Sequence, residues 1–232
     1  KMPLQINKYK LYLYLIFFIF LTSIFNFQII ENLQEKFRLK KIYIYGLSNN
    51  EKQNIEIELN KLKNINIFKL TEDRVLKTLK KFNFLENIYV NKVIPSTINI
   101  NLSKTLIIGK TLRNGEYFYI GKNGKFIKSN QLNETINIPS VFGEFRIEEY
   151  IDLQNILSEN EIDLQNIEKY FYFKNKRWDL LFSNKLTLML PSQNVAKSIK
   201  IYKKLLDSDN LINKKIIDLR ITNQIILTNY NE

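Results

Sequence analysis

A chain of 232 residues is long enough for two small domains with cores of their own once any membrane segment is set aside. It contains no cysteine and no histidine, which removes disulfides, thiol nucleophiles, imidazole bases and the usual transition-metal ligands. The formal charge of +12 raises nucleic acid or an anionic membrane as a partner, but the basic residues are spread along a Lys-, Asn- and Ile-rich chain with no nucleic-acid motif, so no nucleic-acid binding is expected.

The first feature in chain order is LYLYLIFFIFLTSIFNFQII, residues 11–30, uncharged and bounded by Lys10 and Glu31. A helix of that length reaches roughly 30 Å, the thickness of a bilayer's hydrocarbon layer, which predicts a transmembrane helix preceded by a cytoplasmic arm at 1–10. Lys1, Lys8 and Lys10 also suit a signal peptide, but the apolar run is long and no small-x-small cleavage site follows, which favours an uncleaved anchor. Lys36, Arg38, Lys40 and Lys41 follow the span closely, so charge counting does not fix its direction. With no second apolar span in the sequence, a cytoplasmic N-terminus and an exported remainder are expected, and the lack of cysteine is compatible with that.

LKKIYIYG, Leu39 to Gly46, alternates apolar and polar residues up to a glycine and predicts a strand and turn. Ser48 and Glu51 have capping-box spacing ahead of Ile55, Leu59 and Leu62, the pattern of an amphipathic helix. Thr71 caps a second helix in which Leu70 can staple to Val75, with Leu79 and Phe82 on the same face. FLENIYVNKVIPSTINI, Phe84 to Ile100, then gives two strands: Ile88 and Val90 face one way, Tyr89 and Val93 the other, and Pro95 marks the turn before Ile98, Ile100 and Leu102. The order is strand, helix, helix, strand, strand.

That order, with Gly46 after the first strand, Leu70-Thr71 at the second helix and V-x-K-x-x-P-x-T-I-x-I at the hairpin, resembles the POTRA domain of the FtsQ/DivIB family of bacterial cell-division proteins. The second half continues the resemblance. EYFYIGKNGKFI (Glu116 to Ile127) is similar to the family's first hairpin with Asn123-Gly124 as its turn, IPSVFG (Ile138 to Gly143) to its l-P-x-x-x-G segment, KRWDLLFSNKLTLMLP to its W-x-L hairpin, and KKIIDLRITNQIIL (Lys214 to Leu227) to its closing strands. Two departures are the segment Ser103, Lys104 and Leu106, where members often carry E-R-x-P, and Lys185, where a hairpin glycine is expected. The resemblance implies an α+β chain: transmembrane helix at 11–30, POTRA domain at 36–104, and a β domain at 105–232 with an antiparallel sheet and flanking helices.

No catalytic, cofactor or metal constellation is evident. Glu148-Glu149 and Glu159 with Glu161 lie in polar stretches with nothing to separate their pKa values, and GKNG at 121–124 lacks phosphate-loop spacing. Between Ser192 and Leu206, Val195, Ile199, Tyr202 and Leu206 form a helical stripe, with Lys197, Lys200 and Lys204 opposite and Lys203 at the edge. That basic face is either solvated or meets an acidic partner. Ile217, Leu219 and Ile221 alternate with Asp218 and Arg220, and after Thr222 to Gln224 the residues Ile225 to Thr228 form a last strand, expected at a sheet edge.

The resemblance implies the partners and the site. Small bitopic proteins of the FtsB and FtsL type would add a strand at this edge, with Arg220, Ile221 and Asn223 beside it, Ile225, Ile226 and Leu227 as the pairing edge, and Lys200 and Lys204 on the neighbouring helix. Otherwise Arg220 pairs only within its own sheet. The implied function is a non-enzymatic scaffold at the division septum of the inner membrane, linking these partners to septal peptidoglycan synthesis. The alternative reading is a POTRA-bearing component of protein export or outer-membrane assembly, although the sequence shows neither barrel strands nor a repeated module.

Overall fold

The computed structural model describes residues 8–23, 31, 34–132, 138–207, 214–221 and 224–229. The first helix, α1, is Lys8–Ser23. Its 16 residues reach about 24 Å, and among the described residues no helix is long and apolar enough to cross a membrane. The span expected at 11–30 is therefore seen only in part. The helix begins inside the expected arm, and 24–30 lie outside the described residues.

The next five elements are β1 (Lys41–Tyr45), α2 (Asn49–Asn60), α3 (Glu72–Leu79), β2 (Leu85–Val93) and β3 (Thr97–Lys104), in the order that alternation and capping predicted. The Glu51 carboxylate accepts from the Ser48 N–H at 3.0 Å and from its hydroxyl at 2.8 Å, which closes the first turn of α2. Burial alone would raise the Glu51 pKa, but the Lys104 ammonium at 3.0 Å and the Ser48 bonds outweigh it and hold the carboxyl below its usual range. Thr71 Oγ1 accepts from the Arg74 N–H at 3.3 Å and caps α3. β3 lies between β1, to which it is parallel, and β2, to which it is antiparallel. Ile98, Ile100 and Leu102 of β3 are buried with Ile55, Leu59, Val75 and Leu79 of the two helices. Gly46 is held at φ +87°, and a Cβ there would strike the Leu102 carbonyl.

Nine strands form the second sheet: β4 (Ile107–Arg113), β5 (Glu116–Gly121), β6 (Phe126–Lys128), β7 (Ser140–Phe142), β8 (Ile167–Tyr172), β9 (Trp178–Phe182), β10 (Thr187–Met189), β11 (Lys214–Asp218) and β12 (Ile226–Asn229). Across the sheet they run β12-β11-β10-β9-β8-β7-β4-β5-β6. The sheet is mixed rather than purely antiparallel, because β7 is parallel to both β4 and β8, and β11 to β10. Helices α4 (Ile147–Glu159) and α5 (Val195–Asp207) bury Tyr150, Leu153, Leu157, Ile199 and Tyr202 in the same core as the inward residues of the sheet. Two sequence signals find their causes here. Gly143 adopts φ +106° where a Cβ would strike the Tyr172 carbonyl, and Lys185 takes the left-handed φ of +68° at the position where a glycine was expected.

The two sheets share an interface. Ile127 and Leu132 are buried in the core of the three-stranded unit, with Ile107 and Tyr119 packed against it. Asn123 Nδ2 donates to the carbonyls of Asn83 at 3.0 Å and Leu85 at 3.3 Å, while Asn83 Nδ2 donates to the Phe126 carbonyl at 2.8 Å. Asn123 is thus a clasp between sheets as well as a turn residue. Replacing it by Ala leaves two half-buried carbonyls without their donor, a loss of about 1–3 kcal/mol. In urea, Asn123→Ala is expected to lower the midpoint and to separate the unfolding of the two sheets into distinct steps, read by far-ultraviolet circular dichroism and by fluorescence of the single tryptophan, Trp178.

Candidate partner-binding edge

Period-two register sorts the last strands into two rows. Val141, Tyr170, Leu180, Leu188, Ile217 and Leu227 are successive cross-strand neighbours and face the helices. The adjacent row is Phe142, Phe171, Asp179, Met189, Asp218 and Ile226, on the opposite face. β12 ends the sheet, paired with β11 on one side and with no strand on the other among the described residues. The strand starts one residue later than expected: Ile225 precedes it, 45 % exposed, Ile226 is 46 % exposed, and Leu227 packs on the core.

Arg220 lies two residues beyond the end of β11, after Leu219. Its Nε donates to Asp218 Oδ1 at 2.8 Å and its Nη2 to Asp218 Oδ2 at 2.5 Å, while its backbone N–H also reaches Oδ1 at 3.0 Å. The intrachain pairing weighed from the sequence is therefore present. It uses two of the five guanidinium donors, and the Arg220 side chain stays 38 % exposed. The Arg220 hydrogen bonds hold the Asp218 carboxyl below its usual range despite burial, and the same bonds raise the Arg220 pKa.

Asp179, two strands inward in the same row, was missed by sequence reasoning. It is buried, its Oδ1 makes no hydrogen bond, and Arg177 Nε lies 3.7 Å away, also without one. Burial raises its pKa, although Arg177 and Arg220 pull the other way. Only the polar residue between Trp178 and Leu180 hinted at it, and nothing local indicates burial on the outer face.

Other predicted residues are distributed unevenly. Ile221 was expected to continue the inward row, but β11 stops at Asp218, so the strand period no longer applies and Ile221 is 53 % exposed. With Leu219, Ile225, Lys197 and Ile201 it lines a groove of about 370 Å³ between the start of α5 and residues Leu219, Ile221, Gln224 and Ile225. Lys200 and Lys204 are exposed on α5 but do not line this groove, whereas Lys197 does. Leu206 is exposed rather than part of the apolar stripe, and Leu205 packs on the core in its place because the stripe advances by three residues from Tyr202. Asn223 lies outside the described residues. Glu149 proves to be a cap: it accepts from the Arg146 N–H at 3.0 Å and secures the start of α4. Among the described residues no carboxylate cluster is placed to hold a metal ion.

A pKa lowered in the folded state means that the Asp218 contribution is fully present above the unfolded carboxylate pKa near 4 and is lost as pH falls through the lower folded value. Asp218→Asn is expected to cost about 1 kcal/mol at pH 7, the scale of one partly exposed charged hydrogen bond. In urea titrations followed by Trp178 fluorescence, that deficit should hold from pH 7 to about pH 5 and shrink below about pH 4.

Two family models match the chain: the FtsQ-type POTRA domain over residues 37–104, and the C-terminal region of cell division protein FtsQ/DivIB over 111–220. Together they cover well over half of it. Cell division protein FtsQ of Rickettsia bellii is 27 % identical over 196 residues, covering 84 % of this chain and 73 % of that protein. FtsQ of Agrobacterium fabrum is 21 % identical over 154 residues, covering 66 % of this chain and 49 % of its own. The extracytoplasmic domain of DivIB from Geobacillus stearothermophilus superposes with a TM-score of 0.34 at 13 % identity, over 47 % of this chain and 96 % of that one. On the two matched models, the chain belongs to the FtsQ/DivIB family of cell division proteins.

Proposed function

We propose that the chain is a non-enzymatic, single-pass scaffold of the division septum. Its apolar segment at 11–30 anchors it in the inner membrane with the arm 1–10 in the cytoplasm. The POTRA unit, 36–104, and the β domain, 105–232, lie on the far side. The β domain captures small bitopic partners of the FtsB and FtsL type and ties them to septal peptidoglycan synthesis.

The observation that carries this reading is the open edge of β12 beside a half-exposed, preoriented Arg220. An extended partner segment gains backbone hydrogen bonds by lengthening the sheet, while side-chain contacts set its register. Asp218 fixes the plane of the guanidinium and leaves three N–H donors for a carboxylate of the partner. Ile225 and Ile226 supply exposed apolar surface, and the groove beside Ile221 can receive a side chain on the helix side, with Lys197 at its rim. Lys200 and Lys204 act at longer range, steering an acidic partner during encounter.

Binding of the extracytoplasmic segment of the organism's own FtsB-type protein, measured by calorimetry, tests the reading. Arg220→Glu is expected to weaken it by about 2 kcal/mol or more, roughly thirtyfold, with the fold retained by circular dichroism. Ile226→Pro is expected to block strand addition while leaving the Trp178 core intact. Undiminished binding by both folded variants places the partner elsewhere.

A further inference from the structure

The topology gathers exposed cations at one end of the three-stranded unit. β1 and β3 run parallel, with Lys41 opposite Thr97, so both start at this end, and β2 finishes there at the turn of Ile94, Pro95 and Ser96. Residues 37–39 run alongside 64–67 at the same end: the Leu39 N–H donates to the Ile65 carbonyl at 2.9 Å, the Ile67 N–H to Phe37 at 2.8 Å, and the Lys40 N–H to Ser96 at 2.8 Å. Lys36, Arg38, Lys40, Lys41, Lys63 and Lys69 are brought together there, all exposed. None of the six forms an ion pair among the described residues, whereas elsewhere Lys61 and Lys81 share Glu58, and Lys203 meets Glu161.

The acidic residues closest in sequence are Glu35, Glu72 and Asp73, too few to neutralise six cations, and the last two occupy the first turn of α3, where the helix dipole favours them. Amid the cations Phe68 is 63 % exposed, its ring 5.1 Å from that of Phe37, and Ile94 is 52 % exposed.

We infer that this end of the unit docks on an anionic phospholipid surface, with Phe68 and Ile94 at the headgroup level and the six cations facing lipid phosphates. The inference rests on the membrane anchor proposed above. Two features select lipid over an acidic protein. Cations around a small aromatic and aliphatic tip are the composition that binds membrane interfaces. The chain also delivers this end to the bilayer: if the span closes at residue 30, the segment to Phe37 extends at most about 25 Å. Such a tether makes docking intramolecular, so weak contacts are enough. Docking would fix the inclination of the POTRA unit and, through the Asn123 clasp, of the β domain that presents β12.

The absence of cysteine allows Ser96→Cys to carry a single polarity-sensitive fluorophore on the full-length chain. The labelled chain is reconstituted into nanodiscs of phosphatidylcholine alone or mixed with phosphatidylglycerol. Recovery in discs reports the anchor, and label emission reports docking. The expected result is a blue shift in the anionic discs alone. It should be abolished by high salt and by the combined Lys40→Glu, Lys63→Glu and Lys69→Glu substitutions, and reduced by Phe68→Ser. Equal emission in both disc types, or a shift indifferent to salt and to charge reversal, overturns the docking while leaving the anchor standing. Failure to enter either disc overturns the anchor and the inference with it.

Discussion

The register of the nine-stranded sheet is the constraint on which the rest depends. Successive residues of a strand point to opposite faces, so one register decides both the core and the exposed chemistry. With Leu188 opposite Ile217 and Ile217 opposite Leu227, the inward row is apolar, and Asp179, Asp218 and Ile226 fall together on the other face. A slip of one residue between β10 and β11 would turn Ile217 outward and carry Asp218 into the core. The energy that holds Ile217 inside therefore also holds the carboxylate that orients Arg220.

The second structural link is the seam between the sheets. Ile127 and Leu132 belong by sequence to the β domain and by packing to the POTRA core, and Asn123 bonds to the backbone on either side of Phe84. A POTRA core of modest size gains buried apolar area this way, about 25 cal/mol for each Å² removed from water. The same seam transmits orientation, since a unit fixed at one sheet constrains the other.

The local parts of this architecture were legible in the sequence. Ser48 with Glu51, Thr71 and the Ile98-Ile100-Leu102 alternation depend on neighbours within a few residues, and each appears as read. The pairing of Arg220 within its own sheet was read only as the alternative to partner binding, and its partner Asp218 was not named. Gly46 and Gly143 were legible as motif positions, and their close approaches to Leu102 and Tyr172 give the physical reason. The failures share one cause, which is that they depend on distant partners. The insertion of β7 between β4 and β8, the burial of Asp179, the second role of Asn123 and the exposure of Ile221 are decided by the tertiary packing around them. The apolar run at 11–30 was legible as composition, yet the described helix covers only its first part.

Hydrogen exchange along β12 tests the central claim most directly. With the extracytoplasmic segment of an FtsB-type protein added at saturation, strand addition predicts slowed exchange at those amides of 226–229 that do not bond to β11, and at Arg220 where its loop becomes covered. Unchanged exchange throughout β12, with new protection confined to other elements, would contradict it.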